Sequence, residues 1–309
     1  MDFSFSAEQE ELRVQARGYL EANPQPTWEE LAALGWTGVS VPEEHGGAGL
    51  GFLEEALLAG ELARVLYHGP YVSTVALVLP ILPPELQAEV AAGEASWTLA
   101  LGPLVPDLDT ATRVAVVGGD GIWELEGFER DVLRTSDESR PLGVTVGGEA
   151  TRRLATAERL PVLRRRARAA LALEACEVGA RALALAVEHA CEREQFGRPI
   201  GSFQAVAHPL ATTYAELELG RSLALWAVWC VATGDAQAPV ATAAAKSRCA
   251  ETAVAACERA IQACGGVGFT WEHPLHRLYK RALWIEAWEA SGAELRADVA
   301  RFLLDEEGA

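Results

Sequence analysis

From about residue 160 to 305 the chain reads as four long helical stretches joined by short connections, a pattern that points to an antiparallel four-helix bundle. Val162–Glu194 carries apolar residues at helical spacing with few breakers, and Gly197-Arg198-Pro199 ends it. A second stretch runs from about Phe203 to Val231, with Pro209 in its early part, where a proline kinks a helix or delays its start. The third begins after Pro239 and stops at the C-cap pair Gly265-Gly266. The fourth covers about Leu275–Leu304, with a break at Trp288-Glu289-Ala290-Ser291-Gly292.

Upstream the texture differs. Residues 1–95 read as helical: Ser6-Ala7-Glu8-Gln9 is a capping box that opens a helix to about Ala22, and Thr27-Trp28-Glu29-Glu30 opens a short second one. A glycine-rich loop at Val41–Gly49 precedes a third helix, roughly Phe52–Leu66, and a fourth around Val72–Leu82. From residue 96 short runs rich in β-formers appear, at Trp97–Leu101 and Arg113–Val117. Gly118-Gly119-Asp120-Gly121 is hairpin chemistry, Trp123–Glu126 alternates with period two, and Gly143–Val146 suits a further strand. The expected fold is mainly α with a small β domain: an N-terminal helical domain (1–95), a compact β domain (96–155) and a C-terminal antiparallel four-helix bundle (156–309).

The formal net charge of −18 argues against a nucleic-acid partner, because a globally acidic chain does not wrap a polyanion. Arginine clusters at Arg164–Arg168 and Arg193–Arg198 still leave room for a local anionic ligand. The six cysteines, at 176, 191, 230, 249, 257 and 264, lie in apolar helical runs without metal-type spacing, and read as small buried hydrophobes in a reducing compartment. Met1-Asp2-Phe3-Ser4 shows no charged leader or apolar signal core, and no apolar run is long enough to insert into a membrane, so a cytoplasmic protein without a metal site is expected.

Three segments carry chemistry. In Arg193-Glu194-Gln195-Phe196-Gly197-Arg198-Pro199-Ile200, followed by Phe203-Gln204, two guanidiniums flank a helix end beside an exposed aromatic, which suits a planar, phosphate-bearing ligand. Gln262-Ala263-Cys264-Gly265-Gly266-Val267-Gly268-Phe269 lets backbone amides approach a ligand closely. At the break in the last stretch, Glu289 beside Trp288 offers a general base. Alone, they are better read as a charged turn, a helix cap and a surface glutamate.

Their order and spacing resemble the acyl-CoA dehydrogenase family. The resemblance rests on Arg-x-Gln-Phe-Gly-x-Pro-Ile-x-x-Phe-Gln, then Gln-x-x-Gly-Gly-x-Gly-Phe-Thr, then His-Pro-Leu and Arg-Leu-Tyr. Phe-Ser-x-x-Gln and Val-Pro-Glu-Glu-x-Gly-Gly-x-Gly near the amino terminus add to it. It covers roughly residues 1–95 and 160–305. It implies FAD-dependent α,β-dehydrogenation of an acyl-CoA thioester, with Glu289 removing the α-proton while a hydride moves to flavin N5. It assigns Arg193, Phe196, Gln204, Gln262, Gly265, Gly266 and Ser291 to FAD, several of them across a dimer interface, and Arg168 to support of the active site. Some relatives carry the base on the first bundle helix, at the position of Ala167; Glu286 is the fallback carboxylate. A homodimer or tetramer and an electron-transfer flavoprotein as acceptor are the family expectation.

The chain also departs from the family. Residues 96–155 lack the Gly-Ser-Asp and Trp-Ile-Thr/Ser segments that touch flavin and thioester, Trp288 replaces the usual Tyr, and Ala290 the usual Gly. Short chains of this style are similar to subunits of heteromeric dehydrogenases acting on sterol-type CoA esters. A non-catalytic or half-site partner subunit is therefore the alternative function.

Overall fold

The computed structural model describes residues 5–306. The expectation read on Met1–Ser4 falls outside the described residues, and residues 307–309 also lie outside them. Helix α1 (Ala7–Ala22) opens on the Ser6–Gln9 capping box and α2 (Trp28–Ala33) on a Thr27–Glu30 box, each with both reciprocal bonds formed. Helix α3 (Phe52–Arg64) is nearly all buried. The fourth stretch is a π-helical segment, Val72–Val78, passing into a 3₁₀ turn at Leu79–Ile81. A further helix that the sequence left inside the helical region, α4 (Pro84–Ala91), starts on a proline and is short.

The sheet has five strands in the order β1-β3-β4-β5-β2. Strands β1 (Trp97–Ala100) and β3 (Arg113–Val117) pair in parallel, and β4 (Gly121–Val132) pairs antiparallel with β3 and with β5 (Leu142–Thr156). The outer strand β2 (Val105–Pro106) has two residues and was not read from the sequence. The expected short strands at Trp123–Glu126 and Gly143–Val146 lie within far longer ones. Most outer residues of β4 and β5 are exposed, so no buried face imposes the alternation that marks a strand in sequence.

In the bundle, α5 (Leu160–Glu192), α6 (Gln204–Thr233) and α7 (Ala238–Cys264) alternate in direction. Pro209 lies inside α6 rather than delaying it. The fourth stretch is two helices, α8 (Leu275–Ala287) and α9 (Gly292–Glu306). Small residues let the helices close in. A Cβ at Gly179 would stand 2.7 Å from Leu217 and 3.3 Å from the Ala253 backbone. Five cysteines are buried as expected, whereas Cys191, near the end of α5, is exposed. Among the described residues no helix is long and apolar enough to cross a membrane, and no cluster of metal-type ligands occurs.

A buried ionic junction ties the loop after β4 to the bundle. Arg140 donates two bonds to Glu174 of α5, at 2.8 and 2.9 Å, and its guanidinium lies over the Trp284 ring. Arg281 of α8, fully buried, donates to Asp137 at 2.6 Å, to Glu174 at 3.2 Å and to the Ser139 hydroxyl at 2.8 Å.

Candidate active site and cofactor platform

The break between α8 and α9 is where the bundle places Glu289. Trp288 caps α8, its N–H donating to the Trp284 carbonyl at 3.0 Å while its ring stacks on that of Trp284. The chain then turns through Glu289, which holds a left-handed φ of +74°. A residue other than glycine pays roughly 1–2 kcal/mol for that conformation, and such strain gathers at functional sites. Ser291 starts α9: its hydroxyl donates to the Glu294 carboxylate at 2.7 Å and accepts the Glu294 N–H at 3.3 Å. The hydroxyl expected at flavin thus serves a helix cap in this chain.

The Glu289 side chain is fully buried and meets α5. Arg168 donates from Nε to Oε2 at 2.6 Å and from Nη2 to Oε1 at 3.3 Å, and Arg164 donates from Nη1 to Oε1 at 2.9 Å. The sequence offered a glutamate beside an indole; the structure holds its carboxylate between two guanidiniums. Ala167, the alternative base position, is buried. Lys246 of α7, 1 % exposed, donates to the Ala290 carbonyl at 2.6 Å and to that of Glu286 at 3.2 Å. Burial lowers the Lys246 pKa to about 8, against the opposing pull of Glu289.

On the far side of these arginines lies a cavity of about 550 Å³, lined by Arg164, Arg165, Arg168 and Arg301 with Asp298 and an apolar wall that includes Val240 and Phe302. In an acidic chain this is a local concentration of positive charge, suited to an anionic ligand. What faces the cavity is guanidinium: the side chains of Arg164 and Arg168 are 34 % and 17 % exposed, and the Glu289 carboxylate is sealed behind them.

The residues expected at the cofactor gather at the other end of the bundle. Strands β6 (Glu194–Gln195) and β7 (Arg198–Pro199) form a minimal hairpin whose two turn residues, Phe196 and Gly197, both take positive φ. That turn leaves the Phe196 ring 92 % exposed, touching Phe203 edge to face at 6.0 Å, while the Arg198 guanidinium covers the Phe203 ring. Gln204 and Gln262 are exposed, and Arg193 makes no side-chain ion pair among the described residues. Gly265 ends α7 at φ +62°, ψ −139°, a conformation favoured by glycine alone, and a Cβ there or at Gly266 would meet open space. Unpaired guanidinium, exposed ring, two free amides and bare backbone form a donor set that fits the adenosine-pyrophosphate half of FAD.

The structure thus brings Glu289, Arg168 and Ser291 together at one end, and Arg193, Phe196, Gln204, Gln262, Gly265 and Gly266 at the other. Arg168 lies in α5 and Arg193 caps its end, and 25 residues at about 1.5 Å each set them roughly 37 Å apart. Two further residues at the Glu289 end escaped the sequence reading. Arg164 was visible only as part of an arginine cluster. Lys246 carried the fainter signal of a charge inside the alanine-rich run that opens α7.

The site thus sits in a helical bundle with an embedded carboxylate, joined to a small sheet and a helical amino-terminal region. Residues 6–82 match the family model for the acyl-CoA dehydrogenase N-terminal domain and residues 165–304 that for the acyl-CoA dehydrogenase C-terminal domain. Acyl-CoA dehydrogenase FadE34 of Mycobacterium tuberculosis is 35 % identical over 88 % of this chain and 41 % of its own length. Acyl-CoA dehydrogenase IpdE2 of the same organism is 34 % identical over 86 % of this chain and 81 % of its own. Among solved structures, the Tcur3481-Tcur3483 steroid ACAD superposes with a TM-score of 0.84 at 25 % identity, covering 98 % of this chain and 99 % of that one. The chain belongs to the acyl-CoA dehydrogenase family, a family of oxidoreductases. It spans less than half the length of FadE34.

Proposed function

We propose that the chain serves FAD-dependent α,β-dehydrogenation of an acyl-CoA thioester, with Glu289 as the base. The observation that carries this reading is the construction at 289: a strained, buried carboxylate on a helix break, next to a cationic cavity sized for a ligand. FAD, when bound, supplies the hydride acceptor. Arg193, Phe196, Gln204, Gln262, Gly265 and Gly266 hold its adenosine-pyrophosphate end. Arg168 orients the carboxylate through two bonds, and Arg164, the more exposed of the pair, turns to the anionic part of the ligand to open access to Glu289. The two groups of residues lie too far apart for one dinucleotide to bridge, so they serve different cofactor molecules. That supports a site shared between subunits, in a homodimer or tetramer, with an electron-transfer flavoprotein as the electron acceptor. In the same reading residues 1–95, 96–155 and 156–309 act as the three domains of a cytoplasmic subunit.

A second reading is a half-site partner subunit in a heteromeric dehydrogenase. The sealed Glu289 favours it, because a carboxylate held by two guanidiniums is poorly placed to take a proton. The matching region is under half of FadE34, and the steroid ACAD is named for two components, which supports a division of labour. Visible spectra of the purified protein, taken anaerobically before and after a panel of acyl-CoA thioesters, test both. Flavin that bleaches, and fails to bleach in Glu289→Gln, supports the catalytic subunit. A colourless chain that takes up no added FAD overturns it.

A further inference from the structure

Glu289 lies in the break between α8 and α9, yet that backbone is gripped from one side. Two neighbouring residues of α7 reach into the break: Lys246 donates to the carbonyls of Glu286 and Ala290, and the Ser247 hydroxyl donates to that of Gly292 at 3.4 Å. The carbonyls of 286 and 290 bracket Glu289. At the end of a helix such carbonyls lack intrahelical donors and ordinarily turn to water or a cap. Here an ammonium with three donors replaces both, and burying it is costly unless its partners are fixed. It is one of only two lysines in an otherwise arginine-based chain. It makes no side-chain ion pair among the described residues, so its hydrogen bonds go to main chain alone. The charged groups around it are Glu289 and Glu286 from the break and α8, Arg168 from α5 and Glu294 from α9.

We propose that Lys246 is a positioning residue for the reaction: it pins the 286–290 turn, and with it the left-handed φ of Glu289 that aims the carboxylate at α5 and the arginine-lined cavity. This rests on the acyl-CoA reading of the site. Arg164 and Arg168 hold the carboxylate's oxygens, and Lys246 holds the backbone from which it extends. Without Lys246 the strained φ at 289 relaxes, and the carboxylate shifts within the arginine pair. The flavin platform, at the other end of the bundle, is untouched.

The test compares wild type with Lys246→Met, which keeps length and apolar volume and removes the donors. Two readouts are taken on the intact protein. In rapid-mixing reduction by an acyl-CoA, the limiting rate constant falls on the order of 100-fold, as for a reacting group displaced by about 1 Å. The half-saturating acyl-CoA concentration and the flavin content stay within twofold. In hydrogen exchange without ligand, amides 286–292 exchange at least tenfold faster while the rest of α7 and α8 is unchanged. Equal limiting rates in variant and wild type, or unchanged exchange at 286–292, overturn the proposal. A parallel fall in rate, affinity and flavin content assigns Lys246 to general stability and also overturns it. If wild type itself is not reduced by any acyl-CoA, the acyl-CoA reading fails. The exchange result, with the position of the Glu289 carboxylate in a crystal structure of the variant, then decides the pinning by itself.

Discussion

Arg168 grips Glu289 through Nε and Nη2, whereas Arg164 contributes a single bond from the rim of the cavity. The two partners therefore differ in what their loss does. Arg168→Leu leaves a fully buried carboxylate with one partially exposed cation, and breaking a buried pair costs about 3 kcal/mol or more. Arg164→Leu leaves the fork of Arg168 in place, and costs about 1 kcal/mol. Urea midpoints of the two variants give this order. Arg168→Leu combined with Glu289→Leu recovers most of the loss, since both charges are then gone.

Arg281→Leu tests the junction between sheet and bundle. It removes donors from Asp137, Glu174 and Ser139 at once, all of them buried. The expected loss is on the order of 4 kcal/mol. There is also an acid signature. Burial pushes the Asp137 carboxyl up, but Arg281 and the Ser139 bonds outweigh it and hold the carboxyl below its ordinary value. A carboxylate depressed in the folded state contributes stability that is present above its unfolded pKa and lost as pH falls through the folded one. Wild type should therefore shed stability in the acid range below about pH 4, and Arg281→Leu should shed less there, as seen in urea midpoints at pH 2.5–5.

At the proposed cofactor platform the expectation is the reverse: a loss of function without a loss of fold. Arg193 is exposed and makes no side-chain ion pair among the described residues. Arg193→Ala should leave the thermal midpoint nearly unmoved, because exposed substitutions away from packing stay within about 0.5 kcal/mol. Its FAD content after gel filtration should drop at least several-fold. Retention of full flavin would remove Arg193 from the site.

Much of this was legible in the chain itself, for reasons that differ by element. The bundle helices could be read because glycine and proline punctuate them at Gly197, Pro239 and Gly265, and because their apolar faces repeat. The capping boxes at Ser6 and Thr27 could be read because both partners lie three residues apart. The long exposed ends of β4 and β5 could not, since residues facing solvent on both sides carry no period, and the two-residue β2 is too short for one. The second arginine on Glu289 could not either: Arg164 and Glu289 are 125 residues apart, and only the packing of α5 against the α8–α9 break joins them. Arg281 carried no signal in the sequence reading, and the structure buries it completely.

Lys246 gives the last prediction, in the alkaline range. Burial is the larger influence on it and lowers its pKa from 10.5 to about 8, with Glu289 pulling the other way. Between about pH 8 and 10.5 the unfolded chain therefore holds a proton at this position that the folded chain has released. Stability rises with pH wherever the unfolded state binds more protons. The penalty for burying the ammonium is complete below pH 8 and fades above it, a gain on the order of 3 kcal/mol across the window if no other group intervenes. Lys246→Met lacks the titrating group. The difference in urea-derived stability between wild type and variant, followed from pH 7 to 10, should move in favour of wild type as pH rises. A difference that stays flat across that range would mean that the ammonium keeps its proton in the folded state, held by the carbonyls of Glu286 and Ala290 more strongly than burial expels it.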